Sequence, residues 1–548
     1  MIDLLSNKSD FILLLTSSTV VMFFMLSKSD NLKKYYSNSD KYINIFNKYI
    51  GDIQDSAYKN TYNLSNPVLS RNPYTSNLFQ RLLFENINVK SPTPLDILTQ
   101  IVKYYINSIK QFLLYILNGF CFYFSELNNI KLNYDLKKEV LVIDVFFLVE
   151  KIINEKKFND QYFKGLYKIL DKKNKQYIFL PVFYGLPSKR ISDVFMLFNI
   201  LKKDKKKILT EYELLGFFDY IRLLKFIIVY PFEVIKLFLK TGDDLIDRIY
   251  ASELISTLDK PQFLNYSKYL IGKRLSYFFD NKFSLISWFE NQVIDRNLYR
   301  GIKEKNLNNP IYGCQPFIYS SAQMNMIPIK NDNVLADAIF VTGKYYLDKM
   351  NKRNLNINYR IGPSFRYQRI FKDAVEWNKK EKKLIALPYD IKDSDDVLEM
   401  CSDTILSEES INIKLHPATF SSYREKATRT LPVCWKIINS NLYDIFFDTK
   451  LIIGTGSGSL VEAASLGLSV IVVANQSTFT SNPMPEYGKG KIWDIVFDKY
   501  ELEICYNNLL RYRLENIAEI KEISDKYKSL FFTKPCEESI TKAFSLDN

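Results

Sequence analysis

Apolar positions along the chain follow two rhythms. Runs at 140–147, 177–183, 284–288, 310–313, 337–342, 383–388, 451–453 and 470–473 have the length of strands, and the stretches between them return an apolar residue every three or four positions, as helices do. Helices are predicted over 158–170, 191–201, 295–305, 345–352, 395–406 and 460–466. A helix after most strands implies crossover connections and hence parallel pairing, so the expected class is α/β with two Rossmann-like halves.

Before residue 139 the pattern is irregular. Asn, Ser and Tyr crowd 55–76, and a helix is predicted over 94–124, where Leu98, Ile101, Tyr105, Ile109 and Phe112 recur at helical spacing. Residues 1–138 are expected to form a mostly helical accessory extension, 139–343 a first Rossmann-like domain, 344–500 a second, and 501–548 a closing helical segment packed back across the first. The change of domain is placed between 344 and 378, around the turn Ile361-Gly362-Pro363-Ser364, which would hinge a cleft. The aromatic cluster at 120–124 is expected in the core. In 209–241, Phe217, Phe218, Ile221, Leu224, Ile227 and Ile228 form an apolar stripe beside Arg222, Lys225, Lys236 and Lys240. Packing on the sheet is the expectation there, with contact to an anionic membrane and its lipid-linked acceptors as the alternative.

The chemistry gathers at 448–475. An apolar strand runs into Gly454-Thr455-Gly456-Ser457-Gly458-Ser459 and then a helix carrying Glu462, so backbone amides would converge on an anion. Glycines let the main chain approach a phosphate, Ser457 and Ser459 can cap the helix or donate, and Glu462 would face ribose hydroxyls. The spacing is neither a dinucleotide fingerprint, since Ser459 stands where the third glycine belongs, nor a Walker A loop, since no lysine follows. No G-x-S-x-G elbow is present. Upstream, an alternating strand delivers Lys414 and the chain's one histidine, His416, to a turn before Pro417, and ligands of parallel sheets bind beyond such strand ends.

At these two turns the chain resembles GT-B glycosyltransferases that use CMP-activated acidic sugars, bacterial sialyltransferases and Kdo transferases among them. Lys414, His416 and Pro417 match their His-Pro turn, and Ser457, Ser459 and Glu462 look like their Ser-rich turn. The segments Ser287-Trp288-Phe289-Glu290-Asn291-Gln292 and Tyr312-Gly313-Cys314-Gln315-Pro316 also resemble surface-carbohydrate biosynthesis proteins. The likeness covers roughly 140–500 in layout and four short motifs in detail.

The resemblance implies a GT-B fold, two Rossmann-like domains facing a cleft, and transfer of Kdo or another nonulosonic acid from CMP to a surface glycan or its lipid-linked precursor. Lys414, His416, Pro417, Thr455, Gly456, Ser457, Gly458, Ser459 and Glu462 would hold the nucleotide. Asp390, after the first strand of the nucleotide domain, would stabilise or capture the oxocarbenium-like sugar, by analogy with Kdo transferases that retain configuration. Glu290, at a strand tip after Trp288 and Phe289, would exchange the acceptor's proton, with a salt bridge to Arg296 as the structural alternative. Gln315 and Arg366 would line the cleft. Both retention and inversion stay open. No metal and no cofactor beyond the CMP-sugar co-substrate is implied, and the D-x-D in Asp393-Ser394-Asp395-Asp396, just before a helix, reads as an N-cap.

Charge and cysteines narrow the picture further. The 548 residues carry 74 basic against 61 acidic side chains, a net +13 that suits an anionic ligand or membrane surface. The lysines are scattered, and the densest run, 202–207, is short, so nucleic acid is not expected. Six dispersed cysteines without C-x-x-C indicate neither a disulfide framework nor a zinc cluster and fit a reducing cytoplasm, while the basic amphipathic stretch 209–241 adds a peripheral place on the inner membrane as the alternative. The apolar run 11–26 lacks a basic leader and is short for a membrane span, so it reads as buried structure. Two rivals remain: transfer from CDP-glycerol or a UDP- or GDP-hexose, which the same turns can hold, and a non-catalytic glycan- or membrane-binding scaffold.

Overall fold

The computed structural model describes residues 28–34, 36–38, 60–68, 90–125, 139–186, 189–203, 207–280, 282–305, 308–315, 318, 332–353, 357–372, 381–417, 419, 421–476 and 480–547. The expectation for 11–26 lies outside them. The described residues divide into two compact units, one within 46–317, 323–372 and 529–548, the other within 1–45, 318–322 and 373–528.

The first unit is built on β1 (Val140–Leu148), β2 (Gln176–Tyr184), β3 (Phe283–Trp288), β4 (Ile311–Cys314), β5 (Ala338–Val341) and β6 (Tyr359–Ile361), in the spatial order β2-β1-β3-β4-β5-β6. The second is built on β7 (Lys382–Ala386), β8 (Ile411–Lys414), β9 (Trp435–Ile437), β10 (Thr449–Gly454), β11 (Ser469–Val473) and β12 (Trp493–Val496), ordered β12-β11-β10-β7-β8-β9. Every pairing in both sheets is parallel. Helices cover such sheets, so their central strands are apolar throughout: Leu451, Ile452, Val470, Ile471 and Val472 are all buried. In each sheet the chain enters at a middle strand, winds outward on one side, then returns to the other. The order therefore reverses between β1 and β3 and between β7 and β10, the places where doubly wound sheets open a crevice beyond their strand ends.

Several local expectations are corrected. The helix predicted over 158–170 is confined to Leu166–Lys172, and a helix that was not predicted, Val149–Glu155, follows β1 directly. Two edge strands of three residues, β6 and β9, are too short for any periodicity to reveal, and β6 carries the first sheet into the interval assigned to a hinge. The helix predicted over 395–406 is Ile391–Ser402, and its cap is Asp390 rather than the D-x-D aspartates. Asp395 instead accepts from the Tyr423 hydroxyl at 2.9 Å and the Lys426 ammonium at 3.0 Å.

The helix Pro94–Phe124 begins at a capping box, Thr93 with Asp96, and has the predicted bounds. Its faces are not as expected. Tyr104, Ser108, Phe112, Tyr115 and Phe122 are buried, but Leu98, Ile109, Phe120, Tyr123 and Phe124 are exposed. The stripe on the helix Phe217–Phe238 is likewise outside: Leu223, Phe226 and Ile227 are buried, while Phe217, Phe218, Ile221, Leu224 and Ile228 are exposed.

Two close approaches hold the first unit together. Helices Phe263–Phe278 and Val293–Lys305 meet glycine to backbone: a Cβ at Gly272 would stand 2.3 Å from the Leu298 carbonyl oxygen, and one at Gly301 2.1 Å from that of Tyr269. The chain's end returns to the first sheet. Thr533 exchanges backbone and hydroxyl bonds of 2.9 Å with Ser364, and the Phe544 ring packs 5.5 Å from Phe340 and 5.9 Å from Tyr312.

Candidate functional site

In the second unit the sheet register brings together the two donor-rich turns. Gly454 of β10 pairs with Ala386 of β7, which pairs with Lys414 of β8, so three strands end level. Two strand spacings separate the outer members, about 10 Å. The turns 455–458, 387–390 and 415–417 leave the same edge, at the point where the strand order reverses.

Gly456 takes φ +59, the left-handed region that favours glycine, and turns the chain back toward the helix Ser459–Ser465. The helix cap is Gly458, without a side-chain bond; the expectation that the serines cap it is corrected. Instead the Ser459 amide donates to the Ser457 hydroxyl at 3.3 Å, and the two hydroxyls lie 2.7 Å apart. The Leu460 and Val461 amides return to the carbonyls of Ser457 and Gly458, closing the first turn. Among the described residues no protein acceptor takes the Ser457 or Gly458 amide, so these two donors and the paired hydroxyls are what the turn offers an anion. Thr455 donates to the Asn475 side chain at 2.9 Å and anchors the turn to the end of β11. Glu462 accepts from the Tyr443 hydroxyl.

On the other side of β7, His416 is exposed and its ring meets Tyr389 edge-on, 5.6 Å between centroids. The Thr419 amide closes a turn on the His416 carbonyl at 3.0 Å, with Pro417 at the second position, where its fixed φ suits the turn. Lys414 donates to the Asn439 carbonyl at 3.3 Å, and Arg424 to the Asn439 side chain at 2.6 Å. Burial, and then the neighbouring Arg424, hold the Lys414 ammonium below its usual range. Two cations converging on one asparagine form an electropositive spot that an anion would relieve. Arg424 is a residue that sequence reading missed; the signal was its position in the helix directly after the His-Pro turn.

Asp390 sits between these turns. Its carboxylate accepts from the amides of Lys392 at 2.9 Å and Asp393 at 3.2 Å, both on one oxygen.

In the first unit, Glu290 follows β3, and its carboxylate accepts from the Trp288 indole at 2.9 Å and from the Gln292 side chain. The turn beneath it is built from buried polar groups. Asp295 accepts from the amides of Glu290 at 3.1 Å and Gln292 at 2.8 Å, and the fully buried Arg296 donates twice to Asn291, at 2.9 Å each. Gln315 and Arg366 line one recess beyond β3–β5 with Trp288, Thr342 and Ser364. The Gln315 Nε2 and Thr342 Oγ1 atoms are buried without a partner among the described residues. Tyr162 links this recess to Glu290: burial and then the Glu290 carboxylate push its phenol up to about 12, with Arg366 pulling the other way.

Asp144 was missed although its signal is plain, a carboxylate inside the apolar run of β1. It is buried and accepts from the Ser287 hydroxyl at 2.7 Å. Burial raises its pKa against the pull of Lys268 and Ser287. Asp295 is raised further, by burial first and by the charges of Asp144 and Glu290, against its backbone bonds. A carboxyl raised on folding binds its proton more tightly in the native state, so stability is lost as pH rises from the ordinary aspartate range through the raised value. Asp295→Asn keeps an acceptor for the two amides and removes the charge. Thermal unfolding across that window is expected to show a shallower loss of stability toward neutral pH than in the unaltered protein.

The chain is thus a protein of two doubly wound α/β units, one with donor-rich turns at its switch point, the other with a recess at its strand ends. No family model and no curated protein matches the sequence. Solved structures with a similar fold include a UDP-GlcNAc 2-epimerase from Neisseria meningitidis bound to UDP-GlcNAc, at 10% identity and TM-score 0.42, covering 74% of this chain and 100% of that one. Acinetobacter baumannii MurG aligns at 11% identity and TM-score 0.36 over 75% and 98%, and the wall teichoic acid polymerase TagF at 10% and 0.35 over 83% and 98%. These likenesses concern the arrangement of the chain and carry nothing about activity.

Proposed function

We propose that this protein is a sugar-nucleotide-dependent glycosyltransferase of the GT-B type, moving Kdo or another nonulosonic acid from a CMP donor to a surface glycan or its lipid-linked precursor at the cytoplasmic face of an anionic membrane. The observation that supports it is the row Gly454–Ala386–Lys414, from which a glycine-serine turn, an aspartate turn and a Lys-His turn leave one sheet edge. CMP departs as a phosphate monoester, so the reaction needs charge stabilised at the leaving group. Lys414 and His416 on one side, and the Ser457 and Gly458 amides with the Ser457 and Ser459 hydroxyls on the other, supply it. Thr455 and Gly456 shape that turn, Pro417 shapes the other, and Glu462 meets the ribose. Asp390 stabilises or captures the oxocarbenium-like sugar. Glu290 takes the acceptor hydroxyl's proton, and Gln315 with Arg366 receives the acceptor.

His416→Ala is expected to lower turnover about 10²-fold and CMP affinity with it, read by steady-state kinetics and calorimetric titration. Both values unchanged would remove His416 from the site. Ligand preference is read by thermal shift, where CMP at a hundred times its dissociation constant stabilises by about 2.7 kcal/mol. A larger shift with CDP, UDP or GDP would transfer the reading to glycerol phosphate or hexose donors. No shift with any nucleotide would leave a scaffold.

A further inference from the structure

We propose that the exposed apolar faces of helices Pro94–Phe124 and Phe217–Phe238 form one surface that docks the protein onto an anionic lipid bilayer, with the helices lying in the interface plane. The first helix is apolar on two faces, and only one of them is buried. Opposite Tyr104, Phe112 and Tyr115 it presents Leu95, Leu98, Val102, Ile106, Ile109 and Leu113 to solvent, between 50% and 72% exposed, and the row continues to Phe120 and Phe124. The spacing of three and four keeps these residues within about a third of the helix circumference over about 43 Å. On the second helix Phe217, Ile221, Leu224, Ile228 and Phe232, followed by Leu239 just beyond its end, are exposed in the same rhythm.

The two rows adjoin. Tyr105, on the flank of the first, donates to the Ile228 carbonyl in the second at 2.9 Å, and Tyr104 stacks on Tyr230 with centroids 5.5 Å apart. So large a contiguous apolar face is unusual for a surface that stays in water.

Charge decides the occupant. Lys103 and Lys110 border the first row, and Arg222, Lys225, Lys236 and Lys240 border the second, all exposed. The acids of these helices are already engaged, Asp96 in the cap with Thr93, Asp219 buried against Arg222 and Arg274, and Glu233 with Lys236 and Asn60, so the net charge of the rim comes from Lys103, Lys110, Lys225 and Lys240. A dry contact with a second copy would gather these cations from both chains around one rim. An anionic headgroup layer neutralises them while acyl chains cover the row. Among the described residues no helix is long and apolar enough to cross a membrane, which fits attachment in the plane of the interface.

The test is flotation of the full chain with vesicles of pure phosphatidylcholine and of phosphatidylcholine containing one third phosphatidylglycerol. Binding is expected to the anionic vesicles, at least tenfold weaker to the neutral ones, and lost in high salt. Leu98→Gln/Ile106→Gln/Leu113→Gln, all at exposed positions, is expected to weaken binding about a hundredfold with an unchanged melting temperature. Lys103→Gln/Lys110→Gln/Lys225→Gln/Lys240→Gln is expected to do the same for the anionic vesicles only. Failure of the unaltered protein to float, equal binding to both vesicle types, or undiminished binding by the first variant would overturn the proposal. So would a vesicle-free dimer in sedimentation that the first variant splits, since that gives the face to a second copy. This surface deepens the membrane location in the reading above, and because the readout uses neither nucleotide nor acceptor, its failure would remove that location and leave the transferase chemistry to the nucleotide-binding and turnover tests.

Discussion

Asp390→Asn is expected to leave the protein folded and to reduce sugar transfer by about 10³-fold or more, the scale on which removing a directly participating group acts. The substitution is informative because Asp390 has a structural duty: it caps the helix Ile391–Ser402 through the Lys392 and Asp393 amides. Asparagine caps a helix about as well as aspartate, whereas alanine forfeits about 1 kcal/mol at such a position. A residue that only caps would therefore lose stability as alanine and lose nothing as asparagine. A residue whose charge meets the reacting sugar would lose activity in both. Turnover of Asp390→Asn within a few-fold of the unaltered protein would remove Asp390 from the proposed role at the sugar.

The largest effect on folding is expected at the crossing of helices Phe263–Phe278 and Val293–Lys305. Gly301→Leu places a branched side chain where even a Cβ would stand 2.1 Å from the Tyr269 carbonyl oxygen and 3.0 Å from the Lys273 amide nitrogen. Those atoms are helix backbone and cannot move aside singly, so the helices must separate. Overpacking of this kind costs about 3 kcal/mol or more, and denaturant titration should show the loss, or no folded protein. Because Val293–Lys305 also carries Asp295 and Arg296, which hold the turn under Glu290, partial separation should disturb that turn before the unit unfolds.

Much of the architecture was legible in the chain. The bounds of Pro94–Phe124 follow from Thr93, Pro94 and Asp96 at one end and the last apolar residue at the other, all local signals. The strands at 140, 283 and 451 announced themselves as short apolar runs, and the helices between them required parallel pairing. The glycine-serine turn was visible because only small residues fill it. What escaped was short or one-sided: the three-residue strands β6 and β9, and the helix Val149–Glu155, whose start is hidden by the apolar strand before it. Asp144 stood out as a carboxylate in an apolar run, but the Ser287 hydroxyl that meets it lies 143 residues on, and the burial of Arg296 is set by the packing of its helix rather than by its local partner Asn291.

By itself, then, the sequence determined the α/β alternation, the positions of most elements and the chemistry of two turns, since each depends on neighbours within a few residues. Only the tertiary structure decided that β7 lies between β8 and β10, which sets Asp390 between the Lys414 and Ser457 turns. Strand order is a choice among long-range pairings that local pattern cannot rank. Tertiary structure alone also decided which side of Pro94–Phe124 stays exposed. A helix apolar on both faces carries no internal mark of its inside, and the packing of Tyr104 and Tyr115 against Tyr230 and Tyr212 supplies one.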